Sequence, residues 1–323
     1  MRPLSRSVLA GASLALAAAV SAARAQAQGG VASASVLQMP AGSRAAAFAG
    51  GYSAATGDAD VVFYNPAGLS SLSAGAGFAF EPFVEGISYG SASGSTHVGR
   101  VSLGAGVSFL DGGSVDVLTP DPNFGGQRGT LTGESVTATE SAARLAASLP
   151  FAGGRVRVGA AAGFVSTAIA GSSAGAPLFD LGAQAGLLPS LTLGAALRNV
   201  GGNVGKDSAA APLPSELRVG LGFHHVTPAG LGLAASADFV AGLEDHTSGV
   251  AGGLEAGLLP AGGHRLGAVA RVGYSYAGSG ALAPLQLGGG LSLGPVALDY
   301  TFQDLQYFGA VHRIGLRWTR PLR

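Results

Sequence analysis

The chain has 323 residues, of which 47% are hydrophobic and only 11% charged, with 55 glycines, no cysteine and a formal net charge of zero. Soluble domains carry roughly a quarter charged residues, so an ordinary water-soluble globule is excluded; there is no basic surplus for nucleic acid and no disulfide framework. The glycines alternate with apolar residues inside long runs, a register that low-complexity disorder does not keep.

Residues 1–27 read as a cleavable signal peptide: Arg2 and Arg6 precede an apolar stretch from Val8 to Val20, and Ala23-Arg24-Ala25 offers a small-residue cleavage site. Removing Arg2, Arg6 and Arg24 leaves 15 basic against 18 acidic side chains. Residues 28–72 form the next unit, an N-terminal hatch. Within it Ser43 is placed to cap one short helix over Arg44-Ala45-Ala46-Ala47, and Gly50-Gly51 to end it. The hatch closes on Val61-Val62-Phe63-Tyr64-Asn65-Pro66-Ala67-Gly68-Leu69-Ser70, where Asn-Pro marks a rigid turn that reads as a hinge into the rest of the chain. Water channels also use Asn-Pro-Ala, but within helices of roughly 18 or more apolar residues, and residues 28–323 contain no such run.

Residues 73–323 are dominated by period-two alternation. Val101, Leu103, Ala105, Val107 and Phe109 alternate with Ser102, Gly104, Gly106 and Ser108, and the pattern returns at 156–164, 217–223 and 296–302. Such runs are strands with one apolar and one small or polar face. A soluble sandwich would carry lysines and glutamates on its outer face, yet the chain has a single lysine. The alternation therefore predicts an all-β fold, a transmembrane antiparallel barrel with apolar residues toward lipid and charges inward. Fourteen strands are expected near 73–83, 84–91, 97–110, 134–149, 154–168, 177–187, 190–200, 214–226, 230–241, 248–258, 263–277, 283–293, 295–304 and 310–320. Long connections fall at Asp111–Gly133, Ile169–Ala176, Gly201–Leu213 and Gly242–Thr247. Short turns fall at Pro150–Gly153, Leu188-Pro189, Thr227–Ala229, Leu259–Gly262 and Gly294. Short periplasmic turns facing longer outer loops are the rule in outer-membrane barrels. Strand parity turns Arg155, Arg157, Asp180, Arg198, Arg218, Arg271 and Asp299 into the lumen, with Glu140, Arg144, Asp238, Glu255, Arg313 and Arg317.

The stretch Gly42–Gly51, then Asp58-Ala59-Asp60 and Tyr64–Leu69, resembles the N-terminal signature of the PorV/PorQ family among the FadL-like outer-membrane barrels. The resemblance continues at Phe179–Gly182, Leu197–Gly201, Leu213–Gly220, Asp299–Phe302 and His312–Ile314, covering nearly all of residues 28–323. It implies a fourteen-stranded barrel with the hatch in its lumen, seated in the outer membrane. It further implies a part in protein secretion of the type IX kind, or in cell-surface attachment, with secretion-system proteins or secreted cargo as partners. The alternative is a FadL-like transporter of hydrophobic small molecules, with an apolar pocket beside Phe48 and Tyr64. The chain departs from such barrels at its C-terminus, which does not end on an aromatic residue, and Asp111–Thr139 carries no family motif.

Arg44, Asp58, Asp60, Asn65, Pro66 and Gly68 are the candidate hatch and hinge residues, either seating the plug or moving as a gate. Among the lumen charges, Arg155, Arg157 and Arg271 are candidates for ligand gating, against simple pairing with acids across the bore. Gly171-Ser172-Ser173-Ala174-Gly175 formally fits G-x-S-x-G, but that motif needs a strand-turn-helix elbow, whereas here it reads as outer loop. His224 and His225 point to opposite faces of a strand and cannot share one ion. Gly288-Gly289-Gly290 lies within a strand pattern and is no phosphate loop. No catalytic residue, cofactor or metal is expected.

Overall fold

The computed structural model describes residues 32–83, 86–124, 128–205, 210–260, 265–277, 284–305 and 309–321. The expected signal peptide lies outside them, as do residues 261–262 of the expected short turn. Fourteen antiparallel strands close into a barrel. In chain order they are β1 (Leu72–Pro82), β2 (Ser88–Val98), β3 (Val101–Pro120), β4 (Gly129–Phe151), β5 (Val156–Ile169), β6 (Ser172–Leu188) and β7 (Leu191–Gly201), then β10 (Glu216–Val226), β11 (Leu231–Gly242), β12 (Ser248–Leu258), β13 (Leu266–Ala277), β14 (Leu285–Leu293), β15 (Val296–Asp304) and β16 (Ala310–Pro321). Two short strands, β8 (Asn203–Val204) and β9 (Ala211–Pro212), pair only with each other in the β7–β10 connection. β1 pairs with β16 from Leu72 opposite Pro321 to Phe80 opposite Ile314, which closes the ring.

The alternation explains the wall. On β3, Leu103, Val107 and Phe109 face outward while Ser102, Gly104, Gly106 and Ser108 are buried. Outward leucines are as exposed as Leu145 at 71% and Leu266 at 72%. An apolar belt of this extent, interrupted only where β2 is built of small residues, would aggregate in water and is at home in lipid. The inward glycines have a second purpose: they let the backbone of the hatch lie against the strands. A Cβ on Gly159 would sit 2.6 Å from the backbone nitrogen of Ala67, and one on Gly194 would collide with the Ser53 carbonyl.

The connections depart from expectation in three places. The stretch 111–133 is not an open loop. β3 and β4 keep pairing through it, from Ser114 opposite Thr137 to Pro120 opposite Gly129, as a ribbon extending past the pairing of β2 and β5, with register shifts between Asp111 and Ser114 and between Asp116 and Leu118. Its Gly, Ser and Thr carry no clean two-residue period, so the sequence pattern fades while backbone pairing continues. Similarly, 169–176 is a tight turn at Ala170-Gly171, both at positive φ, and the rest is strand. The strand expected at 84–91 lies at Ser88–Val98, because its run of small residues has no apolar face to register.

Residues 32–71 fill the bore. They comprise one helix, α1 (Ser43–Ala47), and three 3-10 turns, Ser35–Leu37, Ala59–Phe63 and Pro66–Ser71. Ser43 does not cap α1. Gly42 stands at the N-cap with φ of 79°, where a side chain would collide with the Asp60 carboxylate, and the Ser43 hydroxyl bonds Thr301 instead. The hatch core is Phe48, Tyr52, Val61, Val62, Phe63, Tyr64 and Leu69, all buried.

Candidate functional site

Asn65 is the pivot of the hatch. Its backbone is extended, its Oδ1 accepts from the Ala67 amide at 3.1 Å, and Pro66 follows at the first helical position, where a missing N–H costs nothing. Its Nδ2 donates to the carbonyls of Ser53 at 2.7 Å, Ala183 at 3.1 Å and Ala195 at 3.2 Å. Ala183 and Ala195 belong to the wall strands β6 and β7. Gly68 packs under the Ala55 carbonyl and Val61, and the Tyr64 hydroxyl donates to the Ala41 carbonyl. The block read as a hinge is thus fastened to the hatch on one side and to the wall on the other.

A chain of charges fastens the opposite side. Arg44 reaches from α1 to Glu255 on β12 with two bonds of 3.0 Å, and its Nη1 donates to the Tyr52 hydroxyl, which donates in turn to Asp58 at 2.8 Å. Arg271 joins Glu255 at 2.6 Å to Asp299 at 2.7 Å, and Arg317 joins Asp299 at 3.0 Å to Asp58 at 3.7 Å. Three guanidinium groups therefore meet three carboxylates, so the buried charge is neutral overall and each member is hydrogen-bonded, the condition under which buried ions are tolerated. Elsewhere Glu216 holds Arg198 at 2.5 Å and Arg218 at 2.7 Å, and Arg144 lies 3.4 Å from Asp180 with its guanidinium over the Phe63 ring. Asp238 accepts the Tyr52 and Ser53 amides, and Arg313 pairs with Glu81.

Of the predicted lumen charges, Asp180, Arg198, Arg218, Arg271 and Asp299 join these networks. Arg157 faces inward at the short-turn end. Arg155 does not face the lumen: Gly153 and Gly154, both at positive φ, carry the turn one residue further, and Arg155 stands exposed upon it. Tyr52, Glu81 and Glu216 are members that sequence reasoning missed. Glu216 shares the parity of Arg218 two positions later, which was signal enough. Tyr52 had none beyond its place after two glycines.

Asp60 stands apart from the pairing. It is buried, has no cation in ion-pair range among the described residues, and accepts a 2.5 Å bond from the Ser93 hydroxyl. Burial first, and then the neighbouring Asp58 charge, push its carboxyl from the usual 3.8 up to about 7.

The inner surface also has an apolar region at the end bearing the longer connections. Val36 and Leu37 of the hatch pack there against Tyr89, Val165, Leu178 and Leu213. On the outside of the same wall lies a groove of about 490 Å³ between Phe78, Phe109 and Phe164, floored by Ser91, Ser108 and Ala142. At the short-turn end a cavity of about 400 Å³ opens under the hatch, with Phe48 in its lining; Tyr64 is not part of it but packs against Tyr52. His224 lines this cavity while His225 stacks on Phe223, so the pair diverges as the strand geometry requires. No metal-holding cluster is present among the described residues. Gly171 occupies the β5–β6 turn and Ser172–Gly175 the start of β6, with no helix following, so the expected outer loop is a strand. Gly288–Gly290 sit in β14.

No family model matches the chain, and no curated protein matches it. Solved structures do. The Ralstonia pickettii toluene transporter TbuX superposes with a TM-score of 0.56 at 15% identity, covering 88% of this chain and 100% of that one. A mutant of the TodX monoaromatic hydrocarbon channel gives 0.56 at 11% identity, with 84% and 96% covered. A Pseudomonas aeruginosa FadL homologue gives 0.52 at 12%, with 86% and 98% covered. The likeness is one of fold. The architecture is shared with those barrels, and the PorV/PorQ resemblance gains nothing from it.

Proposed function

We propose that this barrel carries small hydrophobic compounds across the outer membrane, with its short turns in the periplasm. The observation behind this reading is the wall at β2–β5. Ala142 belongs at once to the inner apolar cluster with Val36, Tyr89 and Val165 and to the floor of the outer groove. A compound lodged among those residues has lipid-facing surface one small side chain away. The named functions of the toluene transporter and the hydrocarbon channel support the same class of cargo. The test is uptake of labelled toluene by cells expressing the chain. Uptake above a vector control, lowered by Ala142→Leu, is the expected result; uptake equal to the control removes the proposal.

A second reading, protein secretion or surface attachment in the PorV/PorQ manner, draws on the β3–β4 ribbon, where Val115, Leu118, Leu131 and Val136 are exposed on the extension past the neighbouring strands. Trimming residues 114–137 separates the two readings: it is expected to abolish cargo attachment under the second and to spare hydrocarbon uptake under the first.

A further inference from the structure

Among the arginines that the strands turn inward, Arg144, Arg198, Arg218, Arg271, Arg313 and Arg317 each lie within ion-pair distance of a carboxylate. Arg157 has no such carboxylate among the described residues. Its Nε is buried without a hydrogen-bond partner, as are those of Arg198 and Arg313, so what sets Arg157 apart is the missing counter-charge. A lumen that neutralises its other inward arginines has left one guanidinium unmatched, and a desolvated donor without an acceptor is costly to keep.

The surroundings indicate what the acceptor is. Arg157 lines the 400 Å³ cavity at the short-turn end, whose polar side adds His224, Ser71 and Thr192 and whose apolar side is Phe48 and Tyr52. No aspartate or glutamate lines it. Arg44 also reaches the cavity, but Glu255 already balances its charge. One net positive charge remains, on a planar fork suited to two parallel bonds with a carboxylate. The rings of Phe48 and Tyr52 belong to the same lining. A cavity of this size stands at the small end of organic-ligand sites, which run from about 300 to 1,000 Å³. We propose that this cavity binds a small organic monocarboxylate, its anion on Arg157 and its ring or short chain against Phe48 and Tyr52. The site stands independently of hydrocarbon transport.

The test uses residues 28–323 refolded in neutral maltoside micelles, with benzoate as the probe in titration calorimetry at pH 7.5. Saturable one-to-one binding is expected. Arg157→Gln should weaken it by about tenfold or more, the loss of a hydrogen bond to a charged group. Arg157→Lys keeps the charge and should fall between the two. Arg155→Gln, on the exposed turn two residues away, should bind as the parent does. Heat-modifiable gel migration establishes that each variant is folded. Absence of saturable binding, unchanged binding by folded Arg157→Gln, equal binding of benzyl alcohol, or displacement of benzoate by equimolar inorganic phosphate would each overturn the site. Its failure alongside intact toluene uptake would leave the transport reading in place.

Discussion

Two sectors of the same wall hold the hatch by opposite means. From β12 to β16 the grip is electrostatic: Arg44 and Asp58 of the hatch interlock with Glu255, Arg271, Asp299 and Arg317. From β2 to β6, at the long-loop end, it is mainly apolar: Val36 and Leu37 rest among Tyr89, Val165 and Leu178, with one polar tie from the Val36 amide to the Glu140 carboxylate at 2.7 Å. Ionic contacts specify one position, because moving any member strands its partner in a medium of low polarity. Apolar contacts are non-directional, so another oily surface can replace them at little cost. The charged sector is therefore the fixed jaw, and the apolar sector is the one that another oily surface could enter, as the proposed transport requires.

The comparison can be broken most severely at Glu255. Glu255→Ala leaves Arg44 and Arg271 short of a partner, and removing one member of a buried pair costs about 3–5 kcal/mol. Thermal unfolding followed by circular dichroism should show the loss, and trypsin should begin to cut at Arg44. Leu178→Ala tests the other jaw. Truncating a buried leucine costs about 2–5 kcal/mol depending on how far the site collapses. If cargo occupies this cluster, the variant's deficit should shrink when toluene is added, whereas that of Glu255→Ala should not.

A smaller effect is expected at Asn65, which serves neither jaw but ties the hatch to β6 and β7. Asn65→Ala removes a helix cap and unpairs buried carbonyls, for about 1–3 kcal/mol, measured by the same melt. The smallest is a pH effect. Asp60 titrates near 7 in the folded chain against 3.8 ordinarily, so the folded state prefers it protonated. Stability therefore falls as pH rises from about 4 toward 7 and is flat above that. Asp60→Asn should flatten this slope, raising the melting temperature at pH 8 and leaving it little changed at pH 4.

The barrel was legible because lipid and lumen impose opposite demands on alternate residues, and strands such as Val101–Phe109 record both. The ribbon at 111–133 and strand β2 were illegible for the converse reason: where neither face is apolar, the period vanishes although pairing does not. Inward charges followed from parity wherever the strand start was right, and Arg155 failed because two glycines shifted that start. What parity could not supply was partnership. The sequence places Asp58 and Arg317 more than two hundred residues apart, and only closure of the ring brings them together. At the expected hinge, Asn65 is anchored on backbone carbonyls, which leave no trace in side-chain identity.

The hatch runs from the long-loop end, where Ser33 hydrogen-bonds Pro212, down to the short-turn end, where Leu72 begins β1. Its fixed jaw is built mostly from the last strands to be synthesised. Without β16, Arg317 is absent and the ring has no seam to shut. Closing the ring and completing the ionic grip consequently fall to one strand: the stave that completes the cask also helps seat its stopper.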